Sequence, residues 1–178
     1  ITGVVGTGFG LSDAVLNAMM AALAGHEVDG ARTDRLGPAH FGIQLHHTLP
    51  EDEFDRQPYT AQGGSFLIVA DARVDNREEI SAMLGISERE LRTLCDTHLL
   101  ARGWERWKLG LFDRLLGDIA LAVWDNVEGE LTLVRSPLSS RPIFFSQSAN
   151  SFAFASLPFG LCAVPTIGRS PDLDEVSR

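Results

Sequence analysis

The chain has 178 residues, the size of one ordinary domain. Hydrophobic residues make up 44% and charged residues 22%, which excludes a disordered tail, a collagen-like chain and a coiled coil. With 15 basic and 24 acidic residues the net charge is −9, and there is no basic run and no apolar run near the ~20 residues of a membrane span, so neither nucleic acid nor membrane is an expected partner.

The chain opens at Ile1 without an initiator Met or a signal-peptide core. Residues 1–6 are apolar and broken by Gly, which predicts a buried first strand with no free edge. Residues 12–24 predict a helix, capped by Ser12 or Asp13 and stopped by Gly25, with Val15, Leu16, Met19, Met20 and Leu23 at helical spacing. Residues 26–38 are polar and end in the turn signal Gly37-Pro38. Phe41 to Leu45 reads as a strand, and residues 48–64 as a loop holding two prolines and the Gly63-Gly64 pair.

Ser65 to Ala70 is continuously apolar, as expected of a central strand. Asp75-Asn76 caps a helix through Leu84. Ser87-Glu88-Arg89-Glu90 has the form of a capping box and predicts a helix to about Arg102. Trp104 to Leu116 predicts a further helix or turn around Trp107, Leu111 and Phe112, with the aromatic rings in the core or at a domain interface. Beyond Gly117 come short β-type runs at Ile119–Trp124, Leu131–Val134, Ile143–Phe145 and Phe152–Ala155, separated by turn signals. Sequential hairpins imply antiparallel pairing, so the expected fold class is α+β: two mainly antiparallel sheets with helices outside.

Several residue clusters have a functional and a structural reading. Cys95 and Cys162 are too far apart for a disulfide framework or a zinc motif, and read as buried thiols of a reducing cytoplasm. His40, His46 and His47 lack a third ligand at metal-binding spacing, and adjacent strand residues point to opposite faces, so they read as surface groups and no metal is expected. Gly6-Thr7-Gly8-Phe9-Gly10 lacks the Lys and the spacing of a phosphate-binding loop.

Longer segments carry a resemblance. Arg114-Leu115-Leu116-Gly117-Asp118-Ile119-Ala120-Leu121-Ala122-Val123-Trp124-Asp125 resembles the strand of class II glutamine amidotransferases that ends in Trp-Asp. Arg135-Ser136-Pro137-Leu138-Ser139-Ser140-Arg141-Pro142-Ile143-Phe144-Phe145 is similar to that family's Arg-Asp-x-x-Gly-x-Lys-Pro-Leu-Tyr-Tyr segment, and Phe152-Ala153-Phe154-Ala155-Ser156 continues it. Gly37-Pro38 and Gln57-Pro58 fall where the family has its Arg-Gly-Pro-Asp and Gln-Pro turns. The order resembles the N-terminal domain of asparagine-synthetase-type enzymes over nearly the whole chain, most strongly over residues 114–156. The resemblance implies the αββα sandwich of the N-terminal-nucleophile (Ntn) hydrolases, with residues 1–165 as the glutaminase-like domain and 166–178 as the start of a linker to a synthetase domain.

The chemistry departs from the family pattern. Its active members begin with Cys-Gly-Ile, whose thiolate attacks the glutamine amide while the free α-amine takes the proton. Thr2-Gly3-Val4 stands there, and Ile1 precedes it, so the Thr2 nitrogen lies in a peptide bond and cannot act as that base. The family's Asn-Gly-Glu-Ile-Tyr-Asn segment falls on Asp71-Ala72-Arg73-Val74-Asp75-Asn76. Asp71 replaces an oxyanion donor by an acceptor, and loss of one such donor costs about 10²–10³ in rate. Arg73 reverses the charge that would meet a substrate ammonium, and no Arg between Arg35 and Arg56 supplies the family's carboxylate clamp. Asp96, in Cys95-Asp96-Thr97-His98, matches the family's substrate-binding Asp, although an isolated helical Asp is more often structural.

The resemblance therefore implies a degenerate glutaminase-like domain. Its expected place is as scaffold for a synthetase domain of the same polypeptide, with ATP and Mg²⁺ belonging to that domain and no cofactor here. Branches that adenylate a carboxylate and use an amine already on the substrate have no need of ammonia. Lasso-peptide macrolactam synthetases and β-lactam synthetases are of this type, the former favoured, with a precursor peptide and a second copy of the chain as possible partners. The alternatives are a Thr2 amidohydrolase after loss of Ile1, and the glutaminase domain of a glutamine-dependent asparagine synthetase.

Overall fold

A computed structural model describes residues 1–6, 13–24 and 28–168. The glycine cluster after Gly6, the caps at Ser12 and Gly25 and the tail from Arg169 lie outside the described residues. Among the described residues nine strands form two antiparallel sheets. The first contains β1 (Thr2–Gly6), β2 (Gly30–Leu36), β3 (Ala39–Leu45), β8 (Phe144–Ser148) and β9 (Ser151–Ala155), in the order β2-β3-β1-β9-β8. The second contains β4 (Tyr59–Thr60), β5 (Phe66–Val74), β6 (Gly117–Asp125) and β7 (Glu130–Arg135), in the order β4-β5-β6-β7.

The sheets stack face to face with helices on both outer faces. Alternation along the central strands shows why. Phe66, Ile68 and Ala70 of β5 and Ile119, Leu121 and Val123 of β6 face outward. There they pack against Ile80 of α2 (Arg77–Leu84) and Leu99, Leu100 and Trp104 of α4 (Asp96–Trp107). Leu67, Val69, Ala122 and Trp124 face inward against Phe41, Ile43 and Phe154 of the first sheet. A strand buried on both faces reads as an unbroken apolar run, which is the signal at 65–70 and 119–124. On the other outer face Val4, Ala153 and Ala155 pack under α1 (Asp13–Leu23) and α5 (Pro158–Cys162) through Val15, Met19 and Leu161. The two interlayer cores and the intersheet core give an αββα sandwich, as the family resemblance implied.

β1 runs through the middle of its sheet, paired with β3 on one side and β9 on the other. Gly3 faces the intersheet core where Phe41 and Phe154 meet edge to face, with ring centroids 5.2 Å apart. A Cβ on Gly3 would lie 2.4 Å from Phe154 Cζ and 2.6 Å from Phe41 Cδ1. The position therefore has no room for a side chain between those rings.

Three local expectations differ from the structure. The polar stretch before Gly37 contains β2, a charged edge strand with Arg32, Asp34 and Arg35 and no apolar face to read. The helix expected from Ser87 to Arg102 is two helices, α3 (Glu88–Leu91) and α4. Ser87 Oγ does accept from Glu90 N, but that helix ends in a turn at 92–93 and a new helix starts at Asp96. The loop 48–64 holds two 3₁₀ turns and the short β4, and its Gln57–Pro58 peptide is cis.

Candidate functional site

The N-terminal end of β1 opens into a cleft of about 280 Å³ between the two sheets, lined by Ile1, the segment 43–49, Asp52, Asp55, Gln57, residues 70–73, Thr97 and Arg141. Its floor comes from β5, its wall from the end of β3 and the following loop. That loop is organised by Asp52, whose Oδ2 accepts from Thr48 N and Leu49 N, both at 2.8 Å. Asp55 accepts from Gln57 N and from Gln57 Nε2, and Gln57 Oε1 accepts from Ala70 N at 2.7 Å, which ties the loop to β5.

Thr2 lies behind this cleft. Its side chain is on the α1 face of β1, and its hydroxyl donates to Phe154 O at 3.0 Å with Met19 Sδ at 3.8 Å. The residue is 1% exposed. Ile1 stands between Thr2 and the main cleft. The Ile1 side chain packs in the intersheet core, its nitrogen donates to Ser156 Oγ at 2.6 Å, and its carbonyl accepts from Ser156 N at 2.9 Å. A smaller hollow of about 180 Å³ on the far side of Ile1 touches Thr2 and is lined by apolar Met20, Leu23 and Leu157 together with polar Asp71 and Ser156.

Asp71, Ala72 and Arg73 all line the cleft, so the structure brings these three sequence-identified residues together. Asp71 does not stand as a bare anion. Arg141 reaches it from the loop between β7 and β8 and forms an ion pair with its Oδ1. Arg141 also donates from Nε to Asp118 O at 3.1 Å, with Asp118 Oδ2 at 3.7 Å. The Ser139 and Ser140 hydroxyls both donate to Asp118, and these bonds, with Arg141 adding to them, hold its carboxyl below the usual carboxylate range. Arg73 is half exposed and turns to Asp75, with Nε–Oδ1 at 2.8 Å.

Asp96 is placed differently. Its Oδ2 accepts from Val74 N at 2.8 Å and its Oδ1 is paired with Arg77, so the carboxylate joins the end of β5 to the start of α4. Burial raises its pKa, against the pull of Val74 N–H and Arg77. Arg77 completes the junction by donating to Leu94 O at 2.5 Å. The neighbouring Thr97 lines the cleft; Asp96 does not.

Arg141, Gln57, Asp55, Asp52 and Thr97 are among the cleft residues that sequence reasoning missed. Arg141 lies 70 positions from Asp71, and only the return of the chain from β7 to β8 brings them together. The available signal was the position of Arg141 at the Lys of the family's Lys-Pro segment. His46 and His47 lie just past the end of β3, are exposed and line the cleft, whereas His40 pairs with Asp13 at 3.1 Å. Among the described residues no three His, Cys, Asp or Glu side chains converge as a metal site. Cys95 is buried, which raises its thiol to about 12, and its Sγ lies 3.3 Å from His98 Nδ1. Burial also lowers the His98 pKa, so a neutral thiol faces a neutral imidazole. Cys162 is half-buried rather than fully buried.

A four-layer sandwich whose central first strand ends in a cleft is the Ntn-hydrolase architecture. The glutamine phosphoribosylpyrophosphate amidotransferase of Bacillus subtilis shares it, with a TM-score of 0.72 and 16% identity over 92% of this chain and 43% of that one. Residues 44–163 match the glutamine amidotransferase domain family, and the chain belongs to it. Over 101 residues, 57% of its length, the chain is 25% identical to asparagine synthetase 2 (glutamine-hydrolyzing) of Bacillus subtilis strain 168. That match spans 13% of the length of the relative. No helix among the described residues is long and apolar enough to cross a membrane.

Proposed function

We propose that this amidotransferase domain has given up glutamine hydrolysis and serves as a scaffold for an ATP-dependent, amide-forming synthetase domain of the same polypeptide. The observation that carries the proposal is Thr2: its hydroxyl is turned to Phe154 O under α1, and its nitrogen is held in a peptide bond with Ile1. While Ile1 is attached, the Thr2 nitrogen cannot take the proton, and the hydroxyl is bonded to Phe154 O rather than turned into the main cleft. The cleft adds a second obstacle. Asp71 and Ala72 offer no side-chain donor to an oxyanion, and Arg73 presents a cation where a substrate ammonium would need an anion.

A synthetase whose attacking amine is already on its substrate needs no ammonia, and loss of the nucleophile is then without consequence. Lasso-peptide macrolactam formation, in the cytoplasm, is the reading we favour among such reactions, with β-lactam formation next. ATP and Mg²⁺ would belong to the synthetase domain. Gly63-Gly64-Ser65, the nearest string to a Ser-Gly-Gly-x-Asp-Ser pyrophosphate loop, is a tight turn before β5 with positive φ at both glycines, and is not such a loop. A coding sequence that continues past Arg178 into a Ser-Gly-Gly-x-Asp-Ser loop supports the scaffold role; a stop codon there rules it out.

The name of the curated relative favours a second reading, the glutaminase domain of a glutamine-dependent asparagine synthetase. A Thr2→Cys chain beginning at residue 2 separates the two. The scaffold reading predicts no glutamate release from glutamine even with the thiol and amine restored. Release would show the rest of the site intact and favour the second reading.

A further inference from the structure

The two sheets have four edges, and three are protected. β2 carries Arg32, Asp34 and Arg35; β7 carries Glu130 and Arg135; β4 is only two residues long. Charge and shortness are the usual means by which an edge strand avoids pairing with another chain. β8 has neither. Its residues Phe144-Phe145-Ser146-Gln147-Ser148 are uncharged, and among the described residues nothing pairs with its outer side.

Its side chains are exposed on both faces. Phe144 stands opposite Ala155, on the side of the sheet where α5 lies, and is 40% exposed. Phe145 stands opposite Phe154 on the intersheet side, stacks on Phe152 with centroids 5.5 Å apart, and is 62% exposed. Leu157 and Phe159, at the start of the α5 that packs on this strand, are exposed as well. Depletion of charge with enrichment of aromatics is the composition of an interface core.

Charge identifies the occupant. The chain has a net charge of −9, yet residues 131–168 contain no Asp or Glu, and their two arginines are Arg135 and Arg141. Arg141 is already matched by Asp71 and Asp118. Two copies of so acidic a chain repel over most of their surfaces and approach most easily across this one. We propose that β8 is a self-association edge: β8 of one copy pairs antiparallel with β8 of a second about a two-fold axis near Ser146, joining the two five-stranded sheets into one. A two-fold contact of this kind closes on itself and leaves no new edge. The alternation of antiparallel pairing from the tight turn at Ala149-Asn150 turns the backbone N–H groups of Phe145 and Gln147 outward, where the second copy would accept them.

Light scattering on the size-fractionated 178-residue chain tests this. A dimer is expected, and it should tighten as salt is raised, because salt screens the repulsion between two acidic chains. Gln147→Pro removes one outward N–H at an edge position where proline is tolerated, and Phe145→Lys places a charge on the patch. Each should weaken the dimer by about tenfold or more while circular dichroism and the thermal midpoint of the monomer stay close to the parent. A parent chain that is monomeric throughout, a dimer that survives both substitutions, or one that loosens as salt is raised would overturn the assignment. Glutamine hydrolysis plays no part in these readouts, so their outcome is independent of the scaffold reading.

Discussion

The junction between β5 and α4 and the cleft at the end of β1 lie on either side of the same strand, and they treat charge in opposite ways. At the junction, Asp96 is buried and Arg77 largely so, and Val74 N–H and Leu94 O add to their mutual pairing. In the cleft, Asp71, Arg73 and Arg141 are partly solvated, and each charge is met by a neighbour rather than aimed at an empty position. A buried ion pair is kept because removing one partner strands the other, whereas a solvated pair contributes little to stability. The residues that hold helix to sheet are thus constrained by packing whatever the domain does. The cleft residues carry no such packing constraint.

Substitutions on the two sides should separate them. Asp96→Ala leaves Arg77 without its partner and Val74 N–H without an acceptor, and should cost about 3 kcal/mol by denaturant unfolding, a fall of roughly 6–12 °C in thermal midpoint for a domain of this size. A loss below about 1 kcal/mol would mean that Glu51, 3.7 Å from Arg77, takes over the pairing. The next effect is a pH dependence at the same junction. Burial lowers the His98 pKa in the fold, with Arg56 and Arg102 acting in the same direction and Asp55 opposing them. The unfolded chain therefore binds a proton that the folded chain refuses. Stability from this group is fully present above about pH 6.5 and declines as pH falls below it. His98→Gln should flatten the stability profile between that point and the carboxylate range; an unchanged slope would assign it to another histidine. The smallest effect is expected in the cleft, where Arg73→Ala breaks only a solvated pair and should leave the denaturant midpoint unchanged within experimental error.

The same contrast sets what could be read from the sequence. β5 and β6 are legible because two-sided burial makes them unbroken apolar runs, and β7 to β9 because turn residues separate them. β2 was not legible: it is an edge strand whose alternating face is charged, so no hydrophobic period distinguishes it from a loop. The break between α3 and α4 was hidden because the capping box at Ser87 is real yet serves a helix of only one turn. In the cleft, Asp71, Ala72 and Arg73 are contiguous and could be found together. Arg141 could not, since its meeting with Asp71 depends on the path from β7 to β8. Asp96 was found by its motif, but its partner Arg77 and its position at the helix–sheet junction come only from the tertiary structure.

The most direct measurement is glutamate release from glutamine by the chain with Ile1 in place, beside its Thr2→Ala variant. A degenerate cleft predicts release no faster than in buffer for either protein. Release by the parent that disappears in Thr2→Ala would contradict it and restore Thr2 as a working nucleophile.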